Sequence, residues 1–345
     1  MSFSVPDSLF WTIVLFLAGL GLICVAGDKF VDAAVAIAKR LKIPQIVVGA
    51  TIVSLGTTLP EILVSTTAVL GKAQSPEISV GNALGSIICN TALIAGIGQL
   101  MRPSKEVKQK SVSWRMLFFV GTIALLFLSV LISPAREFID KNGNPATAAG
   151  VVYRVIGIVL VLGFCVYSFL SIRLKDSDGE AEYDENEKVM PMWGALLMLV
   201  ISAAALFVGA KLLVENGQIL ALDYLRVPER VVAVTMIALG TSLPELVTTV
   251  TSAIKGQGDV GLGNIIGANL FNILLVIGLP ATIAGGDAMV FTPTALYLDL
   301  PLALLAMVVL IIPMLIRKKG SRVQGAILLL GYIGYCVYSF VAAGA

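Results

Sequence analysis

Apolar residues run in long uninterrupted stretches along this chain, with short polar intervals between them. A helix that spans a bilayer needs about 20 mostly apolar residues. Ten stretches meet that length, at roughly 9–38, 45–70, 77–101, 113–133, 147–172, 191–220, 231–254, 260–284, 292–316 and 323–343. The pattern therefore predicts an all-α integral membrane protein with ten transmembrane helices. One polar interval differs from the rest. Residues 174–190 carry Asp176, Asp178, Glu180, Glu182, Asp184, Glu185 and Glu187. The spacing Asp176-x-Asp178-Gly179 brings the glycine too early for an EF-hand loop, so this acidic run reads as a solvated linker. It divides the chain into a first half, 1–173, and a second half, 191–345.

Composition agrees with the pattern. Of 345 residues, 57% are hydrophobic and 13% charged, about half the charge of an ordinary soluble domain. Net charge is only +2, which gives no reason to expect nucleic acid. There is no histidine, so the commonest proton shuttle and metal ligand is missing. Cys24, Cys89, Cys165 and Cys336 all fall in apolar stretches and form no CxxC pair, which implies neither a zinc site nor a disulfide frame. The N-terminus lacks the basic region of a cleaved leader, and the first helix is expected to serve as its own insertion signal. No bound cofactor and no obligate protein partner is expected, only the lipid bilayer. Lysine and arginine set the orientation. With both termini extracellular, sixteen of the 24 basic residues lie in cytoplasmic intervals and five in extracellular ones, while Lys29, Arg154 and Lys211 sit within spans. The linker at 174–190 is then cytoplasmic, in a plasma-membrane protein that crosses many times.

The two halves repeat each other. Leu55-Gly56-Thr57-Thr58-Leu59-Pro60-Glu61 matches Leu239-Gly240-Thr241-Ser242-Leu243-Pro244-Glu245 at six of seven positions, 184 residues apart. Gly81 to Asn90 matches Gly263 to Asn272 at an offset of 182. The repeated motifs cover 48–98 and 232–280. Each half holds five spans, an odd number, so the second must insert upside down relative to the first. Inverted repeats of this kind place a substrate site near the midplane, where interrupted helices meet.

The motif residues suit a cation. Pro60 and Pro244 have no N–H, which deprives the carbonyls of Gly56 and Gly240 of their helical partners and predicts a break in each helix. A carboxylate at the centre of a bilayer is costly and by default marks an ion pathway. Glu61 and Glu245, at symmetric positions, match the charge of one divalent ion. The competing reading is a structural pair of one glutamate with Lys29 or Lys211. Ser54, Thr57, Thr58 and Glu61 share one helical face, and Thr241, Ser242 and Glu245 repeat it. Asn82, Ser86 and Asn90 make a polar stripe on the third span. Asn264 and Asn272 make another on the eighth, with Ala268 between them. Gly81xxxGly85 and Gly263xxxGly267 permit close approach of these stripes to the glutamate helices. Carboxylate, hydroxyl, amide and carbonyl oxygens form a donor set for hard cations such as Ca2+ and Na+.

At these residues the chain resembles the sodium/calcium exchanger family of the Ca2+/cation antiporter superfamily, whose two repeats carry G-[ST]-[ST]-x-P-E followed by a helix of the G-N/S-x-x-G-S type. The resemblance covers essentially the whole chain. It implies that spans 2, 3, 7 and 8 form an ion core past which spans 1 and 6 slide. It also implies that Glu61 and Glu245 bind Ca2+ with Thr57 and Thr241, and that neighbouring subsites take Na+. Thr58 and Ser242, the carbonyls of Ser54 and Ala238, and the side chains of Ser86, Asn90 and Asn272 complete the candidate ligand set. The sequence departs from the family in two places: Ala268 stands where a serine is common, and Asn272 where some members have aspartate.

The implied activity is antiport of Ca2+ against Na+ by alternating access, and the chain is not expected to be an enzyme. The alternative is a Ca2+/H+ antiporter, since protons on two buried glutamates would also balance charge. The proton-coupled branch, however, carries G-N-x-x-E, where both segments here have glycine at the last position. An intramembrane enzyme would need a catalytic aspartate pair, a Ser-His pair or Asp-rich motifs, and the sequence has none of these.

Overall fold

The computed structural model describes residues 8–70, 76–104, 109–139, 145–174, 190–225, 240–284 and 289–342. Its helices are α1 (Leu9–Leu41), α2 (Gln45–Leu70), α3 (Glu77–Met101), α4 (Gln109–Leu131), α5 (Arg154–Arg173), α6 (Met192–Tyr224), α7 (Leu243–Lys255), α8 (Gly258–Ile283), α9 (Ala295–Arg317) and α10 (Arg322–Ala342). Eight of them are long and apolar enough to cross a membrane. The other two are α7, with 13 residues described, and α10, with 21. The acidic linker falls outside the described residues over 175–189, as does the stretch 226–239, which holds Ala238 and the start of the second motif.

The helices fall on the apolar stretches of the sequence, with local differences. The fifth begins at Arg154, later than its hydropathy suggests. The residues just before it form short strands instead. β1 (Arg136–Ile139) pairs antiparallel with β2 (Pro145–Ala148), and β3 (Gly150–Val151) with β4 (Val290–Phe291). Small and β-branched residues dominate there, and Pro145 and Gly150 disfavour a helix. Arg115, counted above with a polar interval, instead lies within α4. It is fully buried, with its guanidinium 4.6 Å from the Trp114 ring centre and donating to the Ser111 carbonyl at 3.0 Å.

Burial separates a centre from a periphery. The apolar core of α8 is buried throughout, and those of α3 and α2 are 72% and 61% buried, whereas α1, α5 and α6 stay below 30%. Leu117, Ile132, Val155, Trp193 and Ile316 are each more than two-thirds exposed. Exposed apolar surface on that scale suits hydrocarbon rather than water. Without a hydrophobic drive between helices in lipid, close contact depends on small residues. A Cβ on Gly263 would lie 2.4 Å from the Ile46 carbonyl oxygen, and one on Gly49 would lie 2.5 Å from that of Val260. Backbone thus rests on backbone where α8 crosses the start of α2. Gly19 and Gly209 make the equivalent contact between α1 and α6. For Gly81 and Gly85 no described heavy atom lies within 4 Å of an added Cβ.

Candidate cation-binding site

Three central helices contain π-helical turns: Gly49–Val53 in α2, Cys89–Ile94 in α3 and Asn272–Ile277 in α8. Such turns carry one extra residue and often mark functional sites. They put Asn90 second and Asn272, its equivalent by the repeat, first in turns that correspond to within one residue. The carbonyls loosened in α2 find side-chain partners: the Ser54 hydroxyl donates to Gly49 at 2.7 Å, and the Tyr167 hydroxyl to Ala50 at 3.1 Å. The prolines behave less symmetrically than the motif predicts. Pro60 sits inside an α-helical run from Ser54 to Leu70 with no break. Pro244 lies in the first turn of α7, after a non-helical turn at Thr241 and Ser242. The physical difference is position. A proline N–H is dispensable in a first turn, whereas in mid-helix the ring must be accommodated by bending, and the π turn upstream supplies slack in α2.

The structure brings the described candidate ligands to the crossing of α2, α3, α7 and α8. Glu61 and Glu245 are each 1% exposed, and Ser54, Thr57, Thr58, Ser86, Asn90, Ser242 and Asn272 are 2% or less. Thr241 is half-buried. Ala238 is outside the described residues. The motifs interlock: Glu61 lies within electrostatic reach of Glu245 and of the Thr241 hydroxyl, and Glu245 within reach of the Thr57 hydroxyl. Among the described residues neither glutamate forms a salt bridge. Lys29 instead meets Asp28 at 3.8 Å and Lys211 meets Glu215 at 3.7 Å, so these contacts do not support the glutamate–lysine pair.

Among the described residues several buried oxygens find no hydrogen-bond partner: both carboxylate oxygens of Glu61, Oε2 of Glu245, Oγ1 of Thr58, and Oδ1 of Asn90 and of Asn272. Leaving one such group unsatisfied costs about 1–3 kcal/mol, more when charged. Natural structures tolerate a cluster of them where a ligand supplies the missing contacts. Oxygens of this kind can coordinate a hard cation directly. Among the described residues no three His, Cys, Asp or Glu side chains come together, so two carboxylates and neutral oxygens are what the centre offers.

Some features escape the sequence pattern. Asn82 Nδ2 donates to the Glu61 carbonyl at 3.2 Å and to Ser65 Oγ at 3.0 Å. The Thr57 hydroxyl donates to Asn264 Oδ1 at 3.1 Å. Below Glu245 on α7, Thr248, Thr249 and Ser252 are buried with unpartnered hydroxyls. Their i+3, i+4 and i+7 spacing from Glu245 was a legible signal for that face. The π turns had none, because no proline or glycine pattern marks 89–94.

A polytopic membrane protein with a buried, oxygen-lined centre built from two copies of one motif is the architecture of a cation exchanger. The chain belongs to the family described as sodium/calcium exchanger protein, which matches residues 11–173 and 194–341; members of this family are transporters. It is 34% identical over 331 residues to the putative antiporter CaxA of Alkalimonas amylolytica, covering 93% of this chain and 96% of that one. It is 30% identical over 353 residues to the sodium/calcium exchanger MaX1 of Methanosarcina acetivorans, covering 95% and 98%. Among solved structures, the sodium-calcium exchanger NCX_Mj soaked with 2.5 mM Na+ and 1 mM Sr2+ superposes with a TM-score of 0.75 at 28% identity, covering 96% of this chain and 99% of that one.

Proposed function

We propose that this protein is a secondary active antiporter that exchanges Ca2+ for Na+ by alternating access. Ten spans in two inverted five-helix repeats, with both termini outside a plasma membrane and the linker inside, complete the reading. The observation that carries it is the pair Glu61 and Glu245. One comes from each motif copy, both are 1% exposed, and among the described residues neither has a salt-bridge partner. Two carboxylates balance one Ca2+ or two Na+, so the same centre accepts either load in turn. Thr57, Thr58, Thr241, Ser242, Ser86, Asn90 and Asn272, with the carbonyls of Ser54 and Ala238, supply the neutral oxygens. The names of MaX1 and NCX_Mj, and the ions soaked into the latter, favour the same pair of substrates.

The test is Ca2+ uptake by proteoliposomes under one imposed gradient at a time. An outward Na+ gradient is expected to drive uptake, and a pH gradient without Na+ is expected not to. The reverse result would establish the Ca2+/H+ antiporter, and uptake under neither gradient would overturn antiport of both kinds.

A further inference from the structure

A hydroxyl group has one proton and two lone pairs. If Thr57 and Thr241 hold a cation, their protons must point elsewhere, because a proton aimed at the ion repels it. The structure offers each an acceptor apart from the carboxylates of Glu245 and Glu61, which would face the ion. Thr57 Oγ1 has Asn264 Oδ1 at 3.1 Å and the Ser54 carbonyl at 3.3 Å. Thr241 Oγ1 has Asn82 Oδ1 at 3.5 Å. Asn82 and Asn264 are equivalent positions in the two repeats, as are Thr57 and Thr241. Each asparagine therefore serves the threonine of the opposite motif.

We infer that Asn82 and Asn264 are positioning residues for cation binding, each accepting the proton of the facing threonine so that its lone pairs are presented to the ion. The inference rests on the ion-site reading above and adds two residues outside the candidate ligand set. The orientation of Asn82 is fixed by its own donors. Its Nδ2 is engaged by the Glu61 carbonyl and Ser65 Oγ, which turns Oδ1 toward Thr241. Asn82 thus joins the glutamate of one motif to the threonine of the other. The second copy is anchored differently. Asn264 Nδ2 and the hydroxyl of Thr249, the counterpart of Ser65, are both buried with no hydrogen-bond partner among the described residues. What fixes Asn264 is its place on α8: Gly263 and Gly267, on either side of it, rest on the backbone of α2, and its carbonyl lies 3.0 Å from Ser54 Oγ. The proton of Thr57, once placed on Asn264, also leaves the Ser54 carbonyl free to face a cation.

The test is a double-mutant cycle read as the Na+ and Ca2+ concentrations giving half-maximal thermal stabilisation of the purified full chain. Thr57→Val removes the hydroxyl, and Asn264→Ala keeps it but removes its amide acceptor. Asn264→Ala is expected to raise the half-saturating Na+ concentration about fivefold, the ratio worth about 1 kcal/mol for one hydrogen bond. In the Thr57→Val background the same change is expected to add nothing, and in the Thr241→Val background it is expected to add its full effect. Asn82→Ala should show the converse pattern. A packing role predicts equal effects in both backgrounds, and that outcome would overturn the inference while leaving the ion site in place. Asn264→Ser is the milder replacement if alanine prevents folding. An unmutated chain stabilised by neither ion would overturn the ion-site reading, and this inference with it.

Discussion

At the scale of the residue, a glutamate buried in a bilayer persists only if something compensates its charge. Among the described residues Glu61 has no salt-bridge partner, and under the proposed function a bound cation compensates its charge. Glu61→Gln and Glu245→Gln each leave one carboxylate facing a divalent cation. Losing one member of a buried charge pair costs at least about 2 kcal/mol, or about thirtyfold in affinity. Each variant is therefore expected to purify as a monodisperse protein and to show no Na+-driven uptake of radioactive calcium. Substantial uptake by either would remove that residue from the site. These two residues were legible in the sequence because the motif recurs, and so was the serine–alanine asymmetry. The structure sharpens its meaning. Ser86 Oγ lies 3.5 Å from Ser242 Oγ. The mirror image of that contact would join residue 268 to Thr58, but Ala268 offers only a methyl, and Thr58 Oγ1 has no hydrogen-bond partner among the described residues. Ala268→Ser restores the missing oxygen. It is expected to lower the Na+ concentration for half-maximal exchange from one side of oriented vesicles, with Ca2+ dependence changing less because carboxylates dominate Ca2+ binding. Unchanged Na+ curves on both sides would make the position one of packing alone.

At the scale of the element, the position of α8 depends on absent side chains. A Cβ on Gly263 would lie 2.4 Å from the Ile46 oxygen, and one on Gly267 would lie 2.2 Å from Ser54 Oγ and 2.5 Å from the Ala50 oxygen. Backbone oxygens cannot rotate away, so the helices would have to separate. Overpacking of that kind costs about 1–3 kcal/mol. Gly263→Ala and Gly267→Ala are expected to lower the melting temperature in detergent, with transport falling as α8 shifts its asparagines away from α2. Gly331→Ala and Gly334→Ala on α10 meet nothing within 4 Å and are expected to be neutral or slightly stabilising, since alanine favours a helix over glycine. Equal losses at all four positions would mean that the glycines act through helix propensity instead. The close approach at Gly263 and Gly267 was visible in the sequence, as were the apolar stretches, because both are periodic and local, whereas the same spacing at Gly81 and Gly85 makes no such contact with the described residues. The strands before α5 and the π turns were not visible. A two-residue ladder such as Gly150–Val151 against Val290–Phe291 joins segments far apart in the chain. A π turn depends on what satisfies its loosened carbonyls, here Tyr167 from a different helix. The matched prolines invited a symmetric prediction, and the fold treats them differently because one is in mid-helix and the other in a first turn.

At the scale of the whole molecule, the question is how much charge the centre carries across the membrane. Glu61 is the only acidic or basic side chain of α2, and those of α3 and α8 are Glu77 and Asp259, close to the starts of those helices. Among the described residues, the middle of the four site helices therefore brings two carboxylates, Glu61 and Glu245, and no lysine or arginine. Loaded with one Ca2+, or with two Na+, the centre is neutral. Hydroxyl and amide oxygens surround the two carboxylates, and the crossed threonine–asparagine pairs present lone pairs on both sides of the glutamates. Such a donor set invites a third Na+, which leaves the Na+-loaded centre at +1. Moving one elementary charge across the membrane is worth about 2.3 kcal/mol per 100 mV. A cycle in which the Na+-loaded limb carries that charge must respond to voltage, and inside-negative potential would assist Na+ entry and Ca2+ exit. The expected outcome is that, in proteoliposomes with K+ and valinomycin setting the potential, Na+-driven exchange accelerates at one polarity and slows at the other. The same exchange should generate a potential when no ionophore shunts it. The Glu61→Gln variant, inactive in exchange, should generate none, which ties the voltage signal to the site. Rates indifferent to the clamped potential would instead require a neutral cycle of two Na+ per Ca2+, with the surplus oxygens serving water or packing.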